Sequence, residues 1–147
     1  RHVKNIFLPQ QIQLHFPFGL VSRKKNGKVM DIEWKATYIT KAKRFKRDII
    51  PTHHSGKNTN FFYNLSNFRK AINIKANLEM LFLVDEMDKQ KGKTLVITFS
   101  PRVPYTFFDN RYSKAEWAGL MRKYVYKLGN GFEKSFVEWI ENDVKSK

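Results

Sequence analysis

The spacing of apolar residues changes once along the chain. From Asn5 to about Ser100 they come in short runs of strand length, broken by Pro, Asn and Gly. From Ser113 onward they recur every three or four positions, the repeat of a helix. In the first region Asn5–Leu8 reads as a strand stopped by Pro9, followed by a short helix over 10–16. Phe18–Arg23 and Lys28 to about Ile39 read as strands joined by the Asn26-Gly27 turn, a strong hairpin signal. Asn60–Tyr63 resumes as a strand. Leu65–Ile72 reads as a short helix with Leu65, Phe68 and Ile72 on one face. Leu78–Val84 and Thr94–Phe99 are the two clearest strand candidates, joined by a polar connection through Gly92.

In the second region Ser113 and Glu116 have the spacing of a capping box. Trp117, Leu120, Met121, Tyr124, Val125 and Leu128 follow on one helical face, and Gly129 suits a left-handed C-cap. A second helix carries Phe132, Phe136, Trp139 and Ile140. The fold class expected is α+β: a small, open β-pseudobarrel with short helices over 1–100, then a connector and C-terminal helical hairpin over 101–147.

Composition narrows the function. With 147 residues and 13 Phe, the chain can bury a core of ordinary domain size. It has no Cys, which excludes disulfides, thiol catalysis and Cys-based zinc sites. No apolar run approaches the roughly 18 residues that a bilayer-spanning helix needs, and no signal-like stretch follows the N-terminus. An intracellular location is therefore expected: the nucleus in a eukaryote, the cytoplasm in a bacterium.

Charge changes the picture most. The formal net charge is +15, and residues 1–57 hold 13 Lys/Arg against three Asp/Glu. Such a field attracts phosphate backbones and releases their counterions on contact; acidic membranes are the other class of surface it would suit. The excess gathers at two places. One is the hairpin tip Arg23, Lys24 and Lys25. The other is the 40–60 segment, read as a long basic loop, with Lys41, Lys43, Arg44, Lys46, Arg47, His53, His54 and Lys57. Lysines there would neutralise phosphates, and Arg44 or Arg47 could read guanine edges.

Catalytic signals are weak by comparison. His53 and His54 are adjacent, so their side chains diverge, and no Cys completes a metal set. Asp85, Glu86 and Asp88 cluster beyond a strand candidate, but no acid-x-Lys follows on the next strand. No phosphate-binding Gly loop or nucleophile elbow is present. No cofactor, metal or catalytic residue is expected.

The order of elements from Asn5 to Phe99 resembles the B3 DNA-binding domain of plants and its relatives in restriction enzymes. Ile6-Phe-Leu-Pro9 with its short helix, the Asn26-Gly27 hairpin leading to Trp34, and the spacing of Phe68, Ile74, Asn77 and Phe82 carry the resemblance. The chain departs from it in having Leu65 where the family has Trp and Asn77-Leu78 where it has Gly-Asp. The resemblance implies an open seven-stranded pseudobarrel that lays two arms in the major groove, one of them Lys41–Lys57. The function expected is sequence-specific binding of double-stranded DNA without catalysis, in transcription regulation or restriction. A structural role on folded RNA and a nuclease-associated role are the alternatives. No membrane partner is expected, and the C-terminal hairpin is expected to dock either on the barrel or on a protein partner.

Overall fold

Two helix starts in the computed structural model are set by capping boxes; it describes residues 12–19, 22–25 and 27–144, with the backbone alone at 25 and 70. The chain runs β1 (Arg23–Lys25), β2 (Lys28–Met30), α1 (Thr37–Phe45), β3 (Thr52–His54) and α2 (Asn60–Ala71). A 3-10 segment (Leu78–Phe82) then passes into α3 (Leu83–Asp88), followed by β4 (Ile97–Phe99) and a 3-10 turn at Tyr105–Phe107. Last come α4 (Lys114–Leu128) and α5 (Phe136–Trp139), which continues as a π-helix over Ile140–Val144. Two units form: unit 1 from residues 1–19, 33–53 and 99–147, and unit 2 from 20–32 and 54–98. Among the described residues the strands make two two-stranded sheets, β1–β2 and β3–β4. The expected strand at 5–8 lies outside the described residues, and Ile12–Phe16 have no regular structure where a helix was expected.

Unit 1 has an aromatic core. The expected capping box forms: Glu116 N–H donates to Ser113 Oγ and Ser113 N–H to the Glu116 carboxylate at 2.8 Å. A second box, Ser135 with Glu138, starts α5 in the same way. Both stabilise helix starts by about 1 kcal/mol. α4 buries Trp117, Ala118, Met121, Tyr124, Val125 and Leu128. Phe108, Trp117, Tyr124, Phe136 and Trp139 interlock there, with the Tyr124 and Phe136 rings 5.3 Å apart and near perpendicular. Their polar tips are engaged: Trp117 Nε1 donates to Asp109 O at 3.0 Å, and Tyr124 Oη to Lys134 O at 3.0 Å.

α4 ends differently from expectation. Gly129 stays in the right-handed helical region (φ −64°), and the left-handed residue is Gly131 (φ +82°). Phe132 N–H donates to Lys127 O and Gly131 N–H to Leu128 O, the paired bonds of a Schellman motif centred on Gly131. Gly129 answers a different need: a Cβ there would fall on the His53 imidazole.

The basic segment expected as a long loop is mostly ordered. Tyr38, Ile39 and Ala42 recur at i, i+1 and i+4, enough to anchor α1 on the core of unit 1. The helix stops at Lys46, a non-Gly residue held left-handed (φ 50°). A bridge between Ile49 and Val103 follows, and Ser100 N–H donates to Pro51 O. Between those contacts two steps of one strand oppose three of the other, which is a bulge.

In unit 2 the hairpin forms where Asn26-Gly27 requires it, with Arg23 opposite Met30 and Lys25 opposite Lys28. Two expected strands are helical. Asn60–Tyr63 is the first turn of α2, and Leu78–Val84 is the 3-10 segment running into α3. Periodicity alone cannot separate a short continuous apolar run in a strand from one in a helix.

Candidate functional site

Unit 2 is built with its polarity reversed. On α2, Phe62, Tyr63, Ser66 and Arg69 face inward, while Phe61 and Phe68 are exposed, as is Ile72 just past its end. On the next segment Glu79 and Glu86 are each only 1% exposed, whereas Leu81, Val84 and Met87 are 77%, 76% and 75% exposed. Leu78, Leu81, Val84 and Met87 fall every three residues, a spacing that aligns them along one side of a 3-10 or short α-helical segment.

The inward polar groups are all used. Arg69 grips Glu79 with two parallel bonds, Nε to Oε2 at 2.8 Å and Nη2 to Oε1 at 3.0 Å, and its Nη1 donates to Ile74 O. Arg23 Nη1 donates to Ser66 Oγ at 2.7 Å and to Glu79 Oε1 at 3.1 Å. Burial alone would raise the Glu79 pKa. The Arg69 guanidinium, the backbone N–H of Glu79 itself and the Ser66 hydroxyl outweigh that and hold it at about 2. Glu86 is likewise below its usual value: burial opposes the shift, but the Thr59 N–H and hydroxyl and Lys89 prevail. Glu86 accepts from Thr59 N–H at 2.5 Å and from Thr59 Oγ1 at 2.7 Å, while Asn58 N–H donates to Tyr63 Oη. These bonds pin the 56–59 loop at the start of α2. Buried ion clusters of this kind fix geometry and cost heavily when one member is removed.

The residues singled out for phosphate contact are scattered by this arrangement. Arg23 is committed to Glu79 and Ser66, and Lys24 Nζ donates to Asn60 Oδ1. The side chain of Lys25 lies outside the described set. Lys41, Lys43 and Arg44 project from α1; Lys43 Nζ donates to Phe108 O at 2.8 Å, and Arg44 lies over the Phe45 ring. Lys46 caps α1, and Arg47 N–H donates to Ala42 O. His53 and His54 sit on β3, with the His53 ring against Gly129 and Tyr126. Lys57 is exposed in the pinned loop. Glu86 turns inward from Asp85 and Asp88, and among the described residues no group of three His, Cys, Asp or Glu could hold a metal ion. In unit 1 an open depression of about 520 Å³ is lined by Pro104, Phe107, Arg111 and Glu141, where the guanidinium is already held by Asp109 and Glu141.

The chain belongs to the acyltransferase family, whose model matches residues 1–135. Among its relatives is the lyso-glycine lipid O-acyltransferase of Bacteroides thetaiotaomicron, 48% identical over 113 residues that cover 77% of this chain and 42% of that protein. Its counterpart of the same name in Phocaeicola vulgatus is 45% identical over 113 residues, 77% of this chain and 40% of that protein. The chain thus spans about two-fifths of the length of the curated relatives it matches. No solved structure matches it.

These matches overturn the B3 resemblance, whose short apolar and Phe spacings recur in unrelated chains. With it fall the expectations of sequence-specific DNA binding, of transcription regulation or restriction, of duplex DNA or folded RNA as partner, and of a chain without catalysis. The physical reason is that positive charge does not distinguish nucleic-acid phosphates from anionic lipid. Of the expected location one part stands: among the described residues no helix is long and apolar enough to cross a membrane.

Proposed function

We propose that this chain is part of an enzyme that transfers an acyl group to the free hydroxyl of a lysolipid. The observation that carries the reading is the family match over residues 1–135, together with 48% identity to a lyso-glycine lipid O-acyltransferase. In such a transfer the lipid hydroxyl oxygen forms an ester bond to the acyl carbon of an activated donor. The bond from the acyl group to its carrier breaks, and the hydroxyl proton leaves with the carrier. The reversed polarity of unit 2 supports the reading, because a lipid substrate presents acyl chains that need apolar contact.

The test is an assay of the purified protein containing this chain, with lyso-glycine lipid as acceptor and an isotopically labelled activated acyl donor. Mass spectrometry is expected to show the acceptor gaining one labelled acyl group in an alkali-labile ester. No labelled ester with lyso-glycine lipid, or with any other hydroxylated lysolipid, would refute the reading.

A further inference from the structure

The ion cluster inside unit 2 carries one positive charge more than its own residues balance. Arg23 and Arg69 both meet Glu79, at 3.1 and 2.8 Å, and their side chains are 16% and 7% exposed against 1% for Glu79. Two guanidiniums thus share one carboxylate. The hairpin's single acid, Asp31, accepts from Ser22 Oγ at 2.6 Å. Glu79 is therefore the carboxylate that Arg23 pairs with among the described residues. Partly desolvated charge without a counter-charge is costly, so a cluster of this sign favours an anion.

The two arginines are engaged unequally. Arg69 commits Nε, Nη1 and Nη2 to Glu79 and to Ile74 O. Arg23 commits Nη1 alone, to Ser66 Oγ at 2.7 Å and to Glu79 Oε1. Its Nε and Nη2 donate to nothing among the described residues. The N–H groups of that edge leave the guanidinium in parallel, a spacing that fits the two oxygens of a carboxylate. On the same face of the hairpin Met30 lies opposite Arg23, with Lys28 two residues away on its strand, and both are exposed. An oxyanion at Arg23 would have a second cation and an apolar side chain beside it.

We propose that the Nε–Nη2 edge of Arg23 binds the carboxylate of the lysolipid acceptor. This rests on the acyl-transfer reading and deepens it. A glycine joined through its nitrogen keeps a free carboxylate, whose single charge matches the one that the cluster lacks. Ser66 and Glu79 hold the guanidinium from behind, so it meets the headgroup already oriented. Arg23 thereby selects the headgroup and takes no part in the bond changes.

Calorimetric titration of the protein containing this chain with N-octanoylglycine, its uncharged methyl ester and octyl phosphate tests the assignment. The wild type is expected to bind the carboxylate about tenfold or more tighter than the ester, as a charged hydrogen-bonded pair allows. Arg23→Gln is expected to bring that ratio close to one. If Arg23 were only structural, the substitution would weaken both ligands together and the ratio would hold. In the wild type the Arg23 Nε–H resonance should shift with N-octanoylglycine and stay in place with the ester, a readout that requires no variant to fold. Equal binding of carboxylate and ester by the wild type, an unmoved resonance, or tighter binding of octyl phosphate than of N-octanoylglycine would each overturn the proposal. Acylation of lyso-glycine lipid by a wild type whose carboxylate preference survives Arg23→Gln would overturn the headgroup role and leave acyl transfer standing. Carboxylate binding through Arg23 in a protein that transfers no acyl group would do the reverse.

Discussion

The two units spend their residues in opposite ways. Unit 1 buries rings and aliphatic groups around Phe108, Trp117, Tyr124, Phe136 and Trp139, and leaves its lysines outside. Unit 2 buries Ser66, Arg69, Glu79 and Glu86 beside Phe62 and Tyr63, and leaves Phe68, Leu81, Val84 and Met87 outside. Unit 1 therefore draws its stability from removing apolar surface from water. Unit 2 is held by satisfied, partly desolvated ion pairs, which specify shape at a high cost if broken and leave apolar surface free for use.

The comparison is broken most severely by a cavity in unit 1. Phe136→Ala should destabilise unit 1 by about 4 kcal/mol in a denaturant titration followed by Trp fluorescence, since Phe136 is fully buried among other rings. Glu79→Gln should cost about 3 kcal/mol in unit 2, because it leaves the Arg69 and Arg23 guanidiniums without their carboxylate. Hydrogen exchange of α2 amides would read this, and an unchanged exchange rate would mean that the cluster is dispensable. Acid should separate the units. The Glu79 carboxyl is depressed from an ordinary 4.5 to about 2, so its contribution is present above pH 4.5 and is lost as pH falls toward 2. α2 and α3 amides should lose protection across that range before those of α4 do. Smaller still, Leu81→Ser/Val84→Ser/Met87→Ser should leave stability within about 0.5 kcal/mol of wild type, as expected at exposed positions. Lys46→Gly should raise stability by about 0.5–1 kcal/mol in thermal melts, by relieving the left-handed backbone at the end of α1.

What the sequence disclosed was local. Ser113 and Glu116, three residues apart, satisfy each other's backbone donors wherever they occur, and Asn26-Gly27 needs only its own turn geometry. What it concealed depends on which side of a segment faces in. Leu78–Val84 reads as a strand because apolar residues are assumed to be buried, and the inward Glu79 and Glu86 break that assumption. α1 was hidden by its own lysines, which drew attention away from Tyr38, Ile39 and Ala42. The site was legible only as charge, and charge names a polyanion without saying whether it is nucleic acid or lipid. The acyltransferase relationship lies in similarity spread along the chain, which no single short motif reveals.

The absence of Cys allows one label to test whether the exposed apolar face of unit 2 meets lipid. An environment-sensitive fluorophore on Val84→Cys, compared with one on Lys123→Cys at an exposed position of α4, should be read with anionic vesicles present. The account predicts a blue shift and protection from aqueous quenchers at position 84 alone. Equal shifts at both positions, or a shift only at 123, would contradict it.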